Sequence, residues 1–206
     1  MRWRIDHLAV AAATLAEGVA AVEGALGVAL SPGGGHALMG THNRLLGMGD
    51  LYLEVIAVDP AAAPPGRPRW FGLDGFAGAP RLTNWIAGCD DLDTALAAAP
   101  AGAGRATDLA RGDLRWRMGV PDDGRLPFDD AYPALIQWLG PVHPAARLPE
   151  AGVRLHRLVV AHPEADALRA VLAGRLADPR LVIERGPAKA MRAEIDTAAG
   201  RRNIVG

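Results

Sequence analysis

Two side chains that could do chemistry, His7 and Glu54, lie in strand-like segments near the start of the chain. A second pair, Asn84 and Gln137, has a similar separation further along. In each pair the first residue lies in the strand that opens a unit and the second in the strand that closes it. An imidazole and a carboxylate can bind a divalent metal or transfer a proton, whereas a carboxamide supplies only neutral donors and acceptors.

Strand alternation predicts where these side chains point. Within Arg4–Val10, His7 shares a face with Ile5 and Ala9, whereas the apolar residues Leu8 and Val10 point to the opposite face. If a helix covers that apolar face, His7 lines whatever the sheet curves around. Glu54 occupies the matching place on the closing strand. The pattern therefore predicts that the imidazole and the carboxylate meet inside one curved sheet.

The same order of elements, one strand, one helix and three strands, recurs along the chain. In the first unit Thr14 and Glu17 form a capping box ahead of a helix that Gly27 ends. The pattern predicts an α+β fold built from tandem βαβββ modules, with a third, partial module at the C-terminus. The predicted modules cover residues 1–60, 80–140 and 151–206.

Composition excludes several classes of protein. The 206 residues are 50% hydrophobic and 22% charged, with a formal net charge of -1, so a sizeable core is expected. The absence of a basic face argues against a nucleic-acid partner, and no apolar run is long enough to cross a membrane. The start of the sequence lacks a signal-peptide core, which predicts a cytoplasmic protein. Cys89, the single cysteine, excludes an intramolecular disulfide.

The modules, opened by Ile5-Asp6-His7-Leu8 and closed by Tyr52-Leu53-Glu54-Val55-Ile56, resemble the vicinal oxygen chelate superfamily. That superfamily includes glyoxalase I, extradiol dioxygenases, methylmalonyl-CoA epimerase and the bleomycin-resistance proteins. Within it the chain looks most like the glyoxalase-like domain proteins. The segments that carry this closer likeness are 40–46, 53–59, 65–71, 112–117, 133–138 and 143–149.

The resemblance implies an open barrel with a divalent metal inside, held from the first and last strands of each module. Those positions map to His7, Glu54, Asn84 and Gln137. Iron, zinc, nickel and manganese are the candidate metals, and the metal would act as a Lewis acid on a substrate with neighbouring oxygens. This chain departs from the family pattern because its second module offers two neutral amides. In the alternative interpretation, His7 and Glu54 line a metal-free pocket.

Other residues are predicted to contact a substrate. Asn84 and Gln137 are better suited to binding a substrate than a metal. His42 could enter the pocket or belong to a structural turn, and Trp70 could wall the pocket or pack in the core. Arg115 could clamp an acidic substrate or lie on a solvated sheet face. By contrast, alternation predicts that Trp85 and Trp138 point away from the site, and a surface loop is expected for His143.

Two functions remain open from the sequence. The leading hypothesis is a metal-dependent lyase, isomerase or dioxygenase acting on a small molecule with vicinal oxygens, with Glu54 as a metal ligand and a base. The alternative is a metal-free small-molecule-binding protein without catalysis. The third module has Arg157 at the position of His7 and so carries no ligand set. We expect it to pack on the first two modules or on the same unit of a second subunit, in a homodimer.

Overall fold

A computed structural model describes residues 2–206 of the chain. The first module follows the predicted order of elements, beginning with β1 and α1. Thr14 caps α1 by accepting from the Glu17 amide, and Gly27 ends the helix in a left-handed conformation, both as predicted. The elements are β1 (Arg4–Ala11), α1 (Leu15–Leu26), β2 (Ser31–His36), β3 (Thr41–Gly47) and β4 (Tyr52–Val58).

The second and third modules repeat this order. Asp91 caps the helix of the second module, and its side chain accepts from the amides of Asp93 and Thr94. Short 3-10 helices at Trp70–Gly75 and Pro144–Arg147 lie in the connections before and after the second module. The remaining elements are β5 (Arg81–Gly88), α2 (Leu92–Ala97), β6 (Arg105–Arg111), β7 (Leu114–Val120), β8 (Ala134–Trp138), β9 (Arg154–His162), α3 (Ala165–Leu172), β10 (Leu181–Arg185), β11 (Ala190–Thr197) and β12 (Gly200–Val205).

The first two modules share one mixed, eight-stranded sheet with the order β2-β3-β4-β1-β5-β8-β7-β6. β1 runs parallel to β4 and antiparallel to β5, so each module contributes half of the sheet. The sheet curls into a half-barrel, and its two edge strands, β2 and β6, contact one another. The predicted glyoxalase-like fold is confirmed, and the curl creates a concave face on which polar side chains converge.

A pseudo-two-fold axis passes between β1 and β5 at the pair formed by Leu8 and Trp85. The register shifts at matching places on either side of this pair, with Asp6 and Thr83 as the extra residues. A β-bulge turns successive side chains to the same side of a strand. Ile5 therefore packs in the convex core instead of sharing the face of His7, which corrects the prediction from simple alternation.

The third module packs against the convex side of the sheet formed by the first two. Its four strands form a separate sheet with the order β10-β9-β11-β12. β12 contacts α1 and β5, and β11 also contacts β5. Its apolar face joins the same core as Leu8 and Trp85, through Leu155, Leu158, Met191, Ile195 and Ile204. This is the intramolecular alternative of the two expected arrangements, and the homodimer stays a prediction.

The helices are short and amphipathic, and they cover the sheets. None of those formed by residues 2–206 combines the length and apolar character needed to cross a bilayer. α1 lies against β4, and Gly18 is the point of closest approach. A Cβ atom built at Gly18 would lie 2.4 Å from Cγ1 of Val55 and 2.8 Å from the Cβ of Ala12. Gly24, one turn and a half further along the same helix, is exposed and has nothing within 4 Å.

We expect Gly18→Ala and Gly24→Ala to change stability in opposite directions. The first forces α1 away from the sheet, and overpacking of this kind costs roughly 1–3 kcal/mol. The second adds helix propensity without a clash and should raise the free energy of unfolding by roughly 0.5–1 kcal/mol. Urea unfolding followed by circular dichroism measures both. Equal effects of the two variants would contradict the packing of α1 described here.

Candidate functional site

The concave face encloses a cavity of about 30 Å³, which has room for little more than a water molecule. One part of its wall is apolar and mostly aromatic, formed by Trp70, Phe71, Trp116, Met118, Ile136 and Trp138. The other part is polar, formed by His7, His36, Asn43, Tyr52, Glu54 and Arg111. An apolar cavity with a few converging polar groups is typical of small-molecule sites.

A buried imidazole lies between two buried carboxylates at the centre of this face. His7 Nδ1 is 2.8 Å from Asp6 Oδ1, and His7 Nε2 is 3.6 Å from Glu54 Oε1. The Tyr52 ring stacks on the imidazole with a centroid separation of 4.4 Å, which fixes the plane of the ring. The predicted meeting of His7 with Glu54 inside the curved sheet is therefore found.

The two carboxylates determine the charge of the imidazole. Burial disfavours a charged His7, but the hydrogen bond to Asp6 and the neighbouring Glu54 carboxylate outweigh it and raise its pKa to about 9. Burial opposes charge on Glu54 as well, yet His7 and Asn43 lower the pKa of that carboxyl. The pKa of Asp6 is also held below its usual range, because contacts with His143 and His7 overcome its burial. At neutral pH the site contains an imidazolium between two carboxylates.

Asp6 is the connection between the site and the loop after β8. Its Oδ2 lies 3.0 Å from His143 Nε2 and accepts from Trp138 Nε1 at 3.1 Å. The prediction that Trp138 points away from the site is wrong, and His143 reaches the network instead of remaining a surface-loop residue. The bulge at Asp6 accounts for this network, and period-two alternation gives no sign of it. Trp85, in contrast, is buried in the convex core as predicted.

A second set of hydrogen bonds leads from Glu54 across the barrel. Asn43 Nδ2 donates to Glu54 Oε2 at 2.8 Å, and Arg111 donates to Asn43 Oδ1 at 3.0 Å. His36 lies beside both, with its Nε2 3.4 Å from the Arg111 guanidinium. Burial lowers the pKa of His36 to about 4, so this imidazole is neutral at pH 7. Sequence reasoning missed Arg111, because it comes from the second edge strand and only the closure of the barrel brings it to Asn43 and His36.

The residues predicted to contact a substrate lie in different places. Trp70 lines the cavity. Asn84 is fully buried, and neither atom of its amide has a hydrogen-bond partner among residues 2–206. The Gln137 side chain accepts from the Leu92 amide and donates to the Asp90 carbonyl, so it points to the start of α2.

The other two predicted contacts lie outside the concave cavity. Arg115 is exposed and donates to the carbonyls of Gly112 and Leu114 in its own hairpin. His42 lines a separate groove of about 640 Å³ between β3 and the start of α1. Their roles in substrate binding stay predictions, but the structure does not bring them to His7 and Glu54.

Strand register shows which residue of the second module corresponds to Glu54. In the first module Ala9 pairs with Glu54 on the neighbouring parallel strand. The counterpart of Ala9 across the pseudo-two-fold axis is Ile86, and Ile86 pairs with Ala134. The position equivalent to Glu54 is thus Ala134, three residues before Gln137. Sequence spacing alone could not find this, because the connection before β8 is longer than the one before β4.

The donor set on this face does not fit a divalent metal. The four symmetric positions supply the imidazole of His7, the carboxylate of Glu54, the neutral amide of Asn84 and the methyl group of Ala134. Within the described range, 2–206, no three His, Cys, Asp or Glu side chains are placed to share an ion. The guanidinium of Arg111 also lies on the cavity wall, where it opposes a cation. One imidazole and one carboxylate are fewer ligands than zinc or iron sites require.

Comparisons with known proteins agree with this architecture. The family model for the glyoxalase-like domain matches residues 5–176. A hypothetical protein from Staphylococcus aureus has a similar structure, with a TM-score of 0.67 and 13% identity, covering 92% of this chain and 88% of that one. No curated protein has a significant match.

Smaller structures cover about two thirds of the chain. A methylmalonyl-CoA epimerase variant from Streptomyces coelicolor, in complex with 2-nitronate-propionyl-CoA, gives a TM-score of 0.44 at 17% identity, covering 66% of this chain and 98% of that one. The methylmalonyl-CoA epimerase from Mycobacterium tuberculosis gives 0.42 at 18% identity, with coverages of 70% and 91%. At these identities the likeness concerns the fold alone.

The two buried histidines should titrate in opposite directions from the ordinary value of 6.5. NMR of the imidazole nitrogens should show His7 charged until about pH 9 and His36 neutral until about pH 4. Charged His7 makes its full contribution to the free energy of unfolding below pH 6.5, and this contribution is lost as the pH rises through about 9. The contribution of neutral His36 to the free energy of unfolding is complete above pH 6.5 and is lost as the pH falls through about 4.

The substitution Asp6→Asn should lower the pKa of His7, because it removes the stronger of the two contacts that favour the imidazolium. Asp196→Asn, which removes an exposed carboxylate beside His156, is the matched control and should leave His7 unchanged. A wild-type His7 that titrates near 6.5 would contradict the assigned network.

The register predicts which substitutions would create a metal site. Asn84→His together with Ala134→Glu restores an imidazole and a carboxylate to the second module and should raise Zn²⁺ affinity about 100-fold or more over wild type. Asn84→His with Gln137→Glu is the control, because residue 137 points to α2. Calorimetric titration with Zn²⁺ measures both. Tight binding by the control, or by wild-type protein, would show that the assignment of Ala134 is wrong.

Proposed function

The chain belongs to the glyoxalase-like domain family, and on that basis we propose that it binds a small organic molecule on its concave face and moves a proton on it with Glu54. The observation that supports this most directly is the environment of Glu54. Its carboxylate is 5% exposed, is ionised at neutral pH and lies on the wall of a largely aromatic cavity.

One oxygen of Glu54 is available for a substrate. Oε2 is occupied by the hydrogen bond from Asn43, whereas Oε1 lies 3.6 Å from His7 Nε2, which is longer than a hydrogen bond. A general base needs to be ionised and within reach of the proton that it removes. Oε1 meets the first condition, and a ligand seated in the cavity would meet the second.

His7 supplies the positive charge that the reaction needs. When Glu54 removes a proton from a carbon next to a carbonyl, the electrons of the C–H bond move to the carbonyl oxygen. A fixed cation close to that oxygen stabilises the charge that develops there. His7, kept charged by Asp6, is such a cation, and it lies beside Glu54. Return of the proton to the same or a neighbouring carbon completes an isomerisation, and loss of a leaving group completes an elimination.

A second candidate is binding without catalysis. The aromatic wall favours it, because Trp70, Phe71, Trp116 and Trp138 can hold an apolar ligand whatever Glu54 does. In that case the polar groups orient the ligand by hydrogen bonds. The two candidates predict the same ligand binding and differ in whether a proton moves.

Exchange of carbon-bound hydrogen in D₂O distinguishes them. Wild-type protein should speed deuterium incorporation into at least one small carbonyl compound from a panel of dihydroxyacetone, acetoin, pyruvate and 2-oxobutyrate, followed by NMR. Glu54→Gln should lower the rate by about 100-fold or more, the usual contribution of a general base. Glu184→Gln, at an exposed position on β10, is the matched control and should have no effect.

The same assay tests the dependence on a metal. EDTA should leave the exchange rate unchanged, and readdition of iron, zinc, nickel or manganese should not increase it. Exchange that survives Glu54→Gln would contradict the role of Glu54, and exchange that needs a metal would contradict the metal-free proposal. Ligand binding with no exchange anywhere in the panel would favour the binding protein.

A further inference from the structure

Arg111 is a positive charge on the cavity wall whose partners are neutral. Its guanidinium donates to Asn43 Oδ1 at 3.0 Å and lies 3.4 Å from His36 Nε2. None of the ion pairs formed among residues 2–206 includes it. Glu54, the nearest carboxylate along the network, is bonded to Asn43 and faces His7. The charge of Glu54 is therefore matched by His7, and that of Arg111 remains uncompensated.

A second group on the same wall also lacks a partner. Trp70 is 4% exposed and lines the cavity, and its Nε1–H has no acceptor within the part of the chain that the structure describes. Leaving a buried donor without an acceptor is unfavourable, because the group has lost its hydrogen bonds to water. The cavity thus presents two donors, a guanidinium that has neutral hydrogen-bond partners but no carboxylate to balance its charge, and an indole N–H that has no acceptor among residues 2–206.

These two donors define the chemical class of the ligand. We propose that the molecule bound in this cavity carries a carboxylate, whose oxygens accept from Arg111 and from Trp70 Nε1. A guanidinium matches the planar geometry of a carboxylate better than any other side chain does. This inference rests on the proposed function, since it assumes that the ligand occupies the concave cavity. It narrows the substrate to a small carboxylic acid.

The position of Arg111 depends on the backbone of the neighbouring edge strand. It lies on β6 and reaches over the edge strand β2, where the glycine run Gly33–Gly35 leaves room for it. A Cβ atom at Gly34 would lie 2.8 Å from Cδ of Arg111, whereas one at Gly35 would have nothing closer than 3.9 Å. A side chain at position 34 would therefore displace Arg111, whereas one at position 35 would not.

Matched acids and amides test the proposal. The probes are acetate, propionate and benzoate, each compared with its primary amide, which has the same shape without the charge. Binding is followed on the indole N–H signals of isotope-labelled protein, with Trp70→Phe identifying the Trp70 signal. We expect at least one acid to bind 10-fold or more tightly than its amide and to shift the Trp70 signal.

Variants of the whole chain test whether Arg111 supplies the positive charge that binds the acid. Arg111→Gln should weaken binding of the acid to the level of its amide. Gly34→Ala should also weaken it, by displacing Arg111, while Gly35→Ala should bind the acid as wild type does. Thermal unfolding of each variant shows whether it is folded. Loss of acid binding in Gly35→Ala to the same degree as in Gly34→Ala would contradict the role of Arg111.

The outcomes separate this inference from the proposed function. Amides that bind as tightly as acids, or the absence of binding by every acid, would overturn the carboxylate inference. Deuterium exchange on neutral carbonyl compounds but on no carboxylate would also overturn the carboxylate inference. It would leave the proposed role of Glu54 unaffected. Acid binding that depends on Arg111, in a protein that shows no exchange, would support the carboxylate and overturn the proton transfer.

Discussion

The concave face depends on a buried carboxylate at a β-bulge. Asp6 is 1% exposed, and it holds the His7 ring, the Trp138 indole and His143 together. A buried charge is tolerated only when it is paired and hydrogen-bonded. Three partners meet that condition, and they come from β1, β8 and the loop that follows β8. One bulged residue therefore fixes the orientation of the imidazole and connects the two halves of the barrel.

The two halves of the barrel have the same backbone arrangement but supply different side chains to the concave face. The first carries the charged pair, His7 and Glu54, while the equivalent positions of the second are Asn84 and Ala134. The second half instead supplies much of the aromatic wall and Arg111. The absence of a full ligand set and the uncompensated guanidinium are thus both features of the second half. Only the first half carries a charged pair at the symmetric positions.

Sequence patterns predicted the repeat, the helix caps and the meeting of His7 with Glu54, because these depend on local periodicity and on module order. They did not predict the side of Trp138, because they assigned the neighbouring Gln137 to the site, whereas Gln137 points to the start of α2 and Trp138 therefore faces the cavity. They made Gln137 the counterpart of Glu54, because the loops before β4 and β8 differ in length and the strand register cannot be read from sequence spacing. Arg111 was missed for a third reason. It becomes a neighbour of Asn43 and His36 only when the sheet curls, and curvature is a property of the whole barrel.

The two faces of the third sheet differ in their chemistry. Its inner face is apolar and joins the main core, but its outer face carries Arg157, Arg192 and Glu194, with an ion pair of 3.1 Å between the last two. Any layer packed on that outer face would have to strip water from these charges, which is costly unless each of them finds a partner. The third sheet therefore adds apolar contacts to one side of the barrel and leaves a hydrated, charged surface on its other side.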